Sequence, residues 1–482
     1  MKIVVVGGGT SGLIAALCLR KKLPLADVSI IESSSVGIIG VGEGSTEHWK
    51  MFCTAVDIDI EDLVLNTDAT HKQGIYFEGW TNVNPLYFHS VGYMERRENI
   101  VPVYEYLSSS SKLLTNSLAH PEFINNHVVV NSEKPLAGSV NQYHFDTFKL
   151  NVYLHSLAAK RGISVIDDTL NNVDVDPEDG YINSVSGEKG SYSADFWLDA
   201  TGFSQVLSKK IGESKWVSAS DYLLVDRAIP FPTGPDPSGE IRPYTRARAA
   251  SSGWVWEIPT QKRRGNGYVF SSEHISEEDA CREISSMVGV DIETPRVIKF
   301  NAGHLDKMWT KNCVSIGLSG SFVEPLEATS ISTAIQQSLM LASFLPTYKK
   351  GNTAMQKRYN KMMDEFHANL IAMVSLHYVS DRRDTKFWED CASLPKTEYL
   401  QNLLDIWSER PPNFTDLTLN GFELFQVPHF WHVAQGQGLV KPEMCRKSLV
   451  STGLYSTAVD MLENARRNVL NEKVVPHGSL FK

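Results

Sequence analysis

The chain lacks any run of about 18 uninterrupted apolar residues, so no membrane-spanning helix is expected and a membrane partner has no support. Cysteine is scarce: Cys18, Cys53, Cys281, Cys313, Cys391 and Cys445 stand far apart with no Cys-x-x-Cys pair. That spacing argues against a metal site of the zinc type or a disulfide framework and suits a reducing cytosol. The N-terminus, Met1-Lys2-Ile3-Val4-Val5-Val6, runs straight into glycines without the apolar core and small-residue cleavage site of a signal peptide, so a cytoplasmic protein is expected. Lysine and arginine form no long block, and the formal net charge of -10 comes from charges scattered in both signs, which leaves nucleic acid without support as a partner. Repeats and low-complexity segments are missing too. What is left, 42% hydrophobic and 21% charged over 482 residues, describes a globular chain with more core than one domain needs.

The first fifty residues carry the clearest pattern. Ile3 to Val6 is a short apolar run suited to a buried parallel strand, followed by Gly7, Gly9 and Gly12 in G-x-G-x-x-G spacing. The glycines permit a tight turn, approach of backbone to a pyrophosphate, and close packing of helix on strand. Ser11 to Arg20 then reads as the helix, with Leu13 and Leu17 facing the sheet and its first N–H groups aimed at phosphates. A second strand, Val28 to Ile31, ends in Glu32, about 20 residues past Gly12, where a carboxylate accepts from an adenosine ribose. A dinucleotide site is therefore expected, with FAD and NAD both open. The loop Val41-Gly42-Glu43-Gly44-Ser45-Thr46 has the glycines for close approach to a ring system, although by itself it reads equally as a turn.

Further along, residues 80–130 read as mixed strand and loop, Lys149 to Arg161 as a helix, Ser164 to Ile166 as a strand, and Phe196 to Ala200 as a buried strand ending in Thr201-Gly202. Pro230, Pro232, Gly234, Pro235, Pro237 and Gly239 mark an exposed loop, within a β-rich insertion from Ser214 to Lys299. Val314 to Gly317 reads as a strand with its loop, Ala328 to Leu345 as a helix with an anion-friendly N-terminus, and the chain from Tyr348 onward as mostly helical. The expected fold class is α/β. One lobe, residues 1–80, 130–213 and 300–345, would bind the nucleotide; residues 81–129 and 214–299 would form a β-rich substrate lobe, and residues 346–482 a helical C-terminal region.

Three residue groups then stand out. Trp254-Val255-Trp256-Glu257-Ile258-Pro259 alternates so that Trp254, Trp256 and Ile258 share one strand face, most simply a packed aromatic face. Lys72, taken alone, is a solvated surface lysine. Glu327, taken alone, is a helix-start carboxylate favoured by the macrodipole. His71 reads as a packing or hydrogen-bonding neighbour of the lysine. His377-Tyr378 and Asp381-Arg382-Arg383-Asp384 read either as cavity lining or as a salt-bridged helix end.

Taken together, five separated stretches resemble one family, the flavin-dependent halogenases of the tryptophan-halogenase type, a phage-encoded marine member among them. They are Gly7 to Gly12, Val41 to Thr46, Ala69 to Trp80 with Lys72, Trp254 to Pro259, and Phe322 to Ile331, so the resemblance spans residues 1 to about 390. It implies the FAD-binding fold of the aromatic hydroxylases, with Gly7, Gly9, Thr10, Ser11, Gly12, Glu32, Val41, Gly42 and Glu43 at the cofactor. It further implies FADH2 delivered by a separate flavin reductase, oxidation of a halide ion with O2 to hypohalous acid, and passage of that acid through a tunnel walled by Trp254, Trp256, Ile258 and Pro259. Lys72 would then hold the acid as a hydrogen-bond donor or a haloamine, and Glu327 would stabilise and deprotonate the ring cation of a small aromatic substrate. Backbone N–H groups of Thr329 and Ser330 would hold halide, whereas Glu324 matches the motif without a chemical role.

The sequence departs from the family at Ala328 and Ser330, where many members carry serine and glycine. A side chain at Ser330 changes the shape of the halide pocket and points to bromide or iodide. The late Tyr-Tyr segment with Glu and Phe that grips free tryptophan is missing between Glu423 and Lys482, so a phenol or indole in an open pocket is expected instead. The rivals are an aromatic hydroxylase of the same fold and a flavin-binding protein without turnover. Asp199-Ala200-Thr201-Gly202-Phe203 and Leu318, standing where hydroxylases carry Asp-Gly and Gly-Asp signatures, argue against the first. A homo-oligomer is left open.

Overall fold

Ile3 to Val6 are buried throughout, Ile3 and Val5 entering a core on one face and Val4 and Val6 another, and the strand Lys2–Val6 has a parallel neighbour on each side, Asp27–Glu32 and Phe196–Asp199. These belong to a six-stranded sheet in the order Trp309–Thr310, Cys313–Ser315, Phe196–Asp199, Lys2–Val6, Asp27–Glu32, Ser164–Asp167, parallel except at its Trp309 edge. The computed structural model describes residues 1–38, 43–90, 100–111, 113, 126–130, 134, 136, 140, 142–292, 296–417 and 422–482. On one face of the sheet the helix Thr10–Lys22 packs between the helices Thr147–Lys160 and Thr329–Phe344. Its last turn holds Arg20, Lys21 and Lys22, which suits the negative end of the helix dipole. The opposite face is covered by a three-stranded antiparallel sheet, Leu170–Val175, Ile182–Gly187 and Ser191–Tyr192, whose Val173, Ile182 and Val185 pack on Val4, Val6, Ile31 and Trp197.

A second, seven-stranded sheet runs in the order Ile298–Lys299, Arg227–Thr233, Arg264–Phe270, Gly253–Pro259, Thr245–Ala249, Gly74–Glu78, Leu86–Ser90. The Trp254 strand is its centre, with every residue buried. Val255 faces a small core of Ile229, Phe231, Tyr268 and Phe270, closed by Ala280 and Ile284 of the helix Glu277–Val288. That helix lies inside the segment expected to be β-rich. Its signals are local: Ser276 accepts from Asp279 N, three acids fill the first turn, and Gly289 ends it in the left-handed region. Gly74–Glu78, grouped with residues 1–80 on sequence, pairs here in parallel with Thr245–Ala249.

The proline cluster is a correction. It is not all loop: Pro230 and Pro232 lie within the strand Arg227–Thr233, opposite Gly267 and Gly265. The neighbour on the other side, Ile298–Lys299, pairs only with Arg227 and Ala228, so beyond Ala228 the strand is an edge and a missing N–H costs nothing.

Between the two large sheets sits a three-stranded one, Glu43–Gly44, Gln142–Phe145 and Thr70–Lys72. From Thr353–Leu376 onward the chain is mostly helical, as its periodicity predicts, and Asn352 caps that first helix through Met355 N. Val474–Pro476 then pairs with Val128–Val130, and His477 packs flat on His71 with ring centroids 5.3 Å apart. Among the described residues no helix is long and apolar enough to cross a membrane.

Candidate active site

The glycine turn does what its spacing requires. Gly7 adopts φ 114°, a Cβ there would collide with Ala200 O, and a Cβ on Gly12 would collide with Gly7 O. Gly9, which caps the helix Thr10–Lys22 without any side-chain bond, has open space where its Cβ would be. The free N–H groups of that helix start therefore face an opening. Asn151 Nδ2 and His155 Nε2 donate to Gly8 O at 3.1 and 3.2 Å, and His155 Nε2 also lies 3.2 Å from Glu32 Oε2. Gly7, Gly9, Thr10, Ser11, Glu32 and Glu43 line one cavity of about 720 Å³. Gly12 packs behind it. Val41 and Gly42 lie outside the described residues. Open helix N–H groups with a carboxylate one strand away fit the pyrophosphate and ribose of a dinucleotide.

The same cavity reaches Lys72, Glu327, Ala328 and Ser330. Lys72 closes a short strand whose neighbours, His71 and Thr70, are themselves buried. Its ammonium is only 2% exposed and donates to Ser45 O at 2.8 Å. Burial pushes it down to about 8, against the pull of Glu327 and Glu47. Gly44 lies against Lys72 and Ala328, a Cβ there being at contact distance, 3.4 Å from Lys72 Nζ and 3.5 Å from Ala328 Cβ. His71 packs, as expected, and its N–H donates to His477 Nε2 at 3.2 Å.

Glu327 and Ala328 both take left-handed backbone, φ 63° and 56°, immediately before the helix Thr329–Phe344. Two such non-glycine residues in succession cost energy and cluster at functional sites. They turn the Glu327 carboxyl inward and leave Ala328 as a helix cap with no side-chain bond. The helix N-terminus is then open beside Ser330 on the cavity, while Thr329 is buried, its hydroxyl 3.5 Å from Glu324 O. His89 Nδ1 donates to Glu327 Oε1 at 2.8 Å, and His377 Nε2 lies 3.0 Å from the same oxygen. Burial pushes this carboxyl up, but the two histidines outweigh it and hold the group well below the usual range.

Trp254, Trp256 and Ile258 form cavity wall along the seven-stranded sheet. Pro259 does not: its carbonyl accepts from Thr70 Oγ1 at 2.7 Å, and it borders a separate pocket of about 150 Å³. Pro259 still pairs with Arg264, but the pairing with the Thr245–Ala249 strand has ended by then. Asp381 to Asp384 are neither cavity lining nor a helix end: they lie in the connection between the helices Thr353–Leu376 and Lys386–Ser393, tied down by Asp381 accepting from Thr81 and Asn82 and by Arg382 paired to Asp384. Asp199 is buried and accepts from Thr201, Leu207 and Ser208, which turns it away from the cleft.

Sequence reasoning missed three side chains. Glu324, given no role, is fully buried and takes bonds from Trp254 Nε1 and Tyr378 OH, each at 3.0 Å. Nothing in the sequence singles out His89, and His377 reads there either as cavity lining or as part of a salt-bridged helix end. The one available signal was a buried-type apolar context around each; their convergence on Glu327 is a property of the fold.

A family model described as tryptophan halogenase matches residues 2–451. The chain is 30% identical over 434 residues to tryptophan 7-halogenase RebH of Lentzea aerocolonigenes, covering 84% of this chain and 81% of that one. Among solved structures it resembles Tar14, a tryptophan C-6 flavin-dependent halogenase (chlorinase) from taromycin biosynthesis, with a TM-score of 0.89 at 26% identity, covering 100% and 98% of the two chains. It also resembles BrvH, a flavin-dependent halogenase from Brevundimonas sp. BAL3, with a TM-score of 0.82 at 25% identity, covering 99% and 98%.

Proposed function

Because this chain belongs to the tryptophan halogenase family, we propose that it halogenates an indole or phenol with hypohalous acid, using FADH2 supplied by a separate reductase. It is an enzyme, a halogenating oxidoreductase with an α/β FAD-binding fold, and its cofactors are FADH2, halide and O2. When bound, the reduced flavin supplies with O2 the oxidising power that turns halide into hypohalous acid. Everything else falls to the side chains.

The Gly7–Ser11 turn and Glu32 would hold the pyrophosphate and ribose, and the N–H groups of Thr329 and Ser330 would hold halide at the open helix start. Trp256, Ile258 and Trp254, whose N–H is taken up by Glu324, would pass a small neutral acid while keeping an aromatic ring away from the flavin. Lys72, as an ammonium, would donate to the oxygen of the acid and so make the halogen electrophilic. The ring carbon takes the halogen as the halogen–oxygen bond breaks, and the oxygen leaves as water with the lysine proton. Glu327, as an anion, would stabilise the resulting ring cation and take its proton.

The observation that carries this reading is that the buried Lys72 and Glu327, 255 positions apart in sequence (327 − 72), line one cavity with the glycine turn. Serine at Ser330 favours bromide or iodide, because an easily oxidised halide asks less of the pocket. The absence of the Tyr-Tyr segment favours an open pocket over one built for free tryptophan. The test is incubation with a flavin reductase, NADH, O2 and each halide in turn against a panel of aromatics, read by mass spectrometry. Halogenated indoles or phenols are expected; hydroxylated products alone overturn the reading in favour of a hydroxylase.

A further inference from the structure

Glu327 is gripped from one side only. His89 Nδ1 donates to Oε1, and His377 Nε2 lies 3.0 Å from the same oxygen but out of line for a hydrogen bond, while no described residue donates to Oε2. Both imidazoles are fully buried, and they come from different elements, the sheet edge Leu86–Ser90 and the end of the helix Thr353–Leu376.

The proton positions follow from the partners. An ionised carboxylate can only accept, so His89 carries its proton on Nδ1. Its Nε2 is buried and has no partner among the described residues. Burial keeps this ring down at about 4, hence neutral near pH 7. His377 is oriented from behind: Tyr87 OH lies 3.2 Å from its Nδ1, and Gln437 Nε2 donates both to Tyr87 OH at 3.2 Å and to His377 O at 2.8 Å. With the phenol accepting from Gln437, it donates to Nδ1, which leaves the His377 proton on Nε2 facing Glu327. Phe77 stacks on the His377 ring at 4.5 Å and fixes its plane.

We propose that His89 and His377 are positioning residues that pin Oε1 of Glu327 and so present Oε2 to the substrate ring as the base. The proposal rests on the halogenase reading. In the step itself the ring C–H bond breaks, the proton bonds to Oε2, and the C–H electron pair restores the aromatic ring. A ring cation is so strong an acid that the base need not be basic; it must be charged and in place. The His89 N–H bond, with the His377 ring edge 3.0 Å from the same oxygen, supplies both conditions, and a carboxylate free to rotate would lose them.

The test uses the whole protein with a flavin reductase, NADH, bromide and indole, with and without deuterium at the reacting carbon. His89→Leu and His377→Leu should each lower bromoindole formed per FADH2 oxidised by roughly 100-fold, the scale of a misplaced catalytic group. Hypobromous acid trapped by an added thiol should rise to match, and a primary isotope effect absent from the wild type should emerge as deprotonation becomes slow. Rescue should be specific to the ring nitrogen. His89→Asn, whose amide falls near Nδ1, and His377→Gln, whose amide falls near Nε2, should recover yield, whereas His89→Gln and His377→Asn should not. These four also serve if a leucine variant fails to fold. Histidine NMR of the flavin-free protein should find the Nδ1–H tautomer at His89 and the Nε2–H tautomer at His377; the opposite tautomers overturn the proposal. Folded variants that keep yield and show no isotope effect overturn it while leaving the halogenase reading intact. A wild type that oxidises bromide and brominates no aromatic overturns both.

Discussion

Trp254 Nε1 donates to Glu324 Oε1 at 3.0 Å inside the protein, joining the central strand of the second sheet to the end of the active-site loop. Tyr378 OH holds the same carboxyl from the helical region, at 3.0 and 3.2 Å. Burial pushes Glu324 up to about 8, against the pull of these two donors. The carboxyl is therefore mostly uncharged near neutrality, and it anchors the cavity wall to the backbone that carries Glu327.

Replacing Glu324 separates this role from catalysis. Glu324→Leu strands two buried donors and should cost roughly 2–4 kcal/mol in urea unfolding. Glu324→Gln keeps an acceptor and should be close to wild type below pH 4.5, the group's ordinary value. Between that and about 8 the folded wild type holds a proton that the unfolded chain releases, so its stability falls as pH rises through this window. The glutamine variant lacks that loss. Its advantage should grow from pH 5 to about 8 and then level off; an advantage that shrinks with pH contradicts the assignment.

Lys72 gives a pH dependence of opposite use. Because burial brings the ammonium down to about 8, the proton donor is lost as pH rises through that value. Halogenated product per FADH2 oxidised should fall there, while FADH2 oxidation continues. A rise in yield would mean that the neutral amine is the active form. Lys72→Ala should abolish halogenation at every pH and leave flavin oxidation unchanged.

How much of this could be read from the chain follows from the range of each interaction. The glycine turn, the helix behind it and Glu32 lie within thirty residues, and their geometry is close to what the spacing implies. Pro230 and Pro232 misled because edge position is decided by how far Ile298–Lys299 extends, which no local pattern contains. Likewise Pro259 shares a motif with Trp254 but not its surroundings. His89 and Glu327 are 238 residues apart, and nothing around either one announces the other. Residue type gave the chemistry, but not which neighbours would aim it.

Ser330 stands on the cavity at the open start of the helix Thr329–Phe344. Ser330→Gly should enlarge the anion pocket without disturbing the fold, and shift the ratio of chlorinated to brominated product towards chloride by about tenfold, the scale of one small group in a pocket. Competition between the two halides, read by mass spectrometry, checks this. An unchanged ratio would place halide selection elsewhere.

His477 supports the strand of Lys72 from outside. His477→Ala removes the acceptor of the buried His71 N–H and should cost about 1–3 kcal/mol, measurable by thermal unfolding. His477→Gln returns an acceptor near the Nε2 position and should recover most of it. Equal stability of the two variants would show that packing, and not the bond, is what matters.

That contact spans 406 positions. On a ribosome the glycine turn and the Lys72 strand emerge long before His477 does, and the brace on His71 waits for the 406 positions between them to be made. The distance between His71 and His477 along the chain thus makes the setting of the Lys72 strand depend on a segment synthesised far downstream.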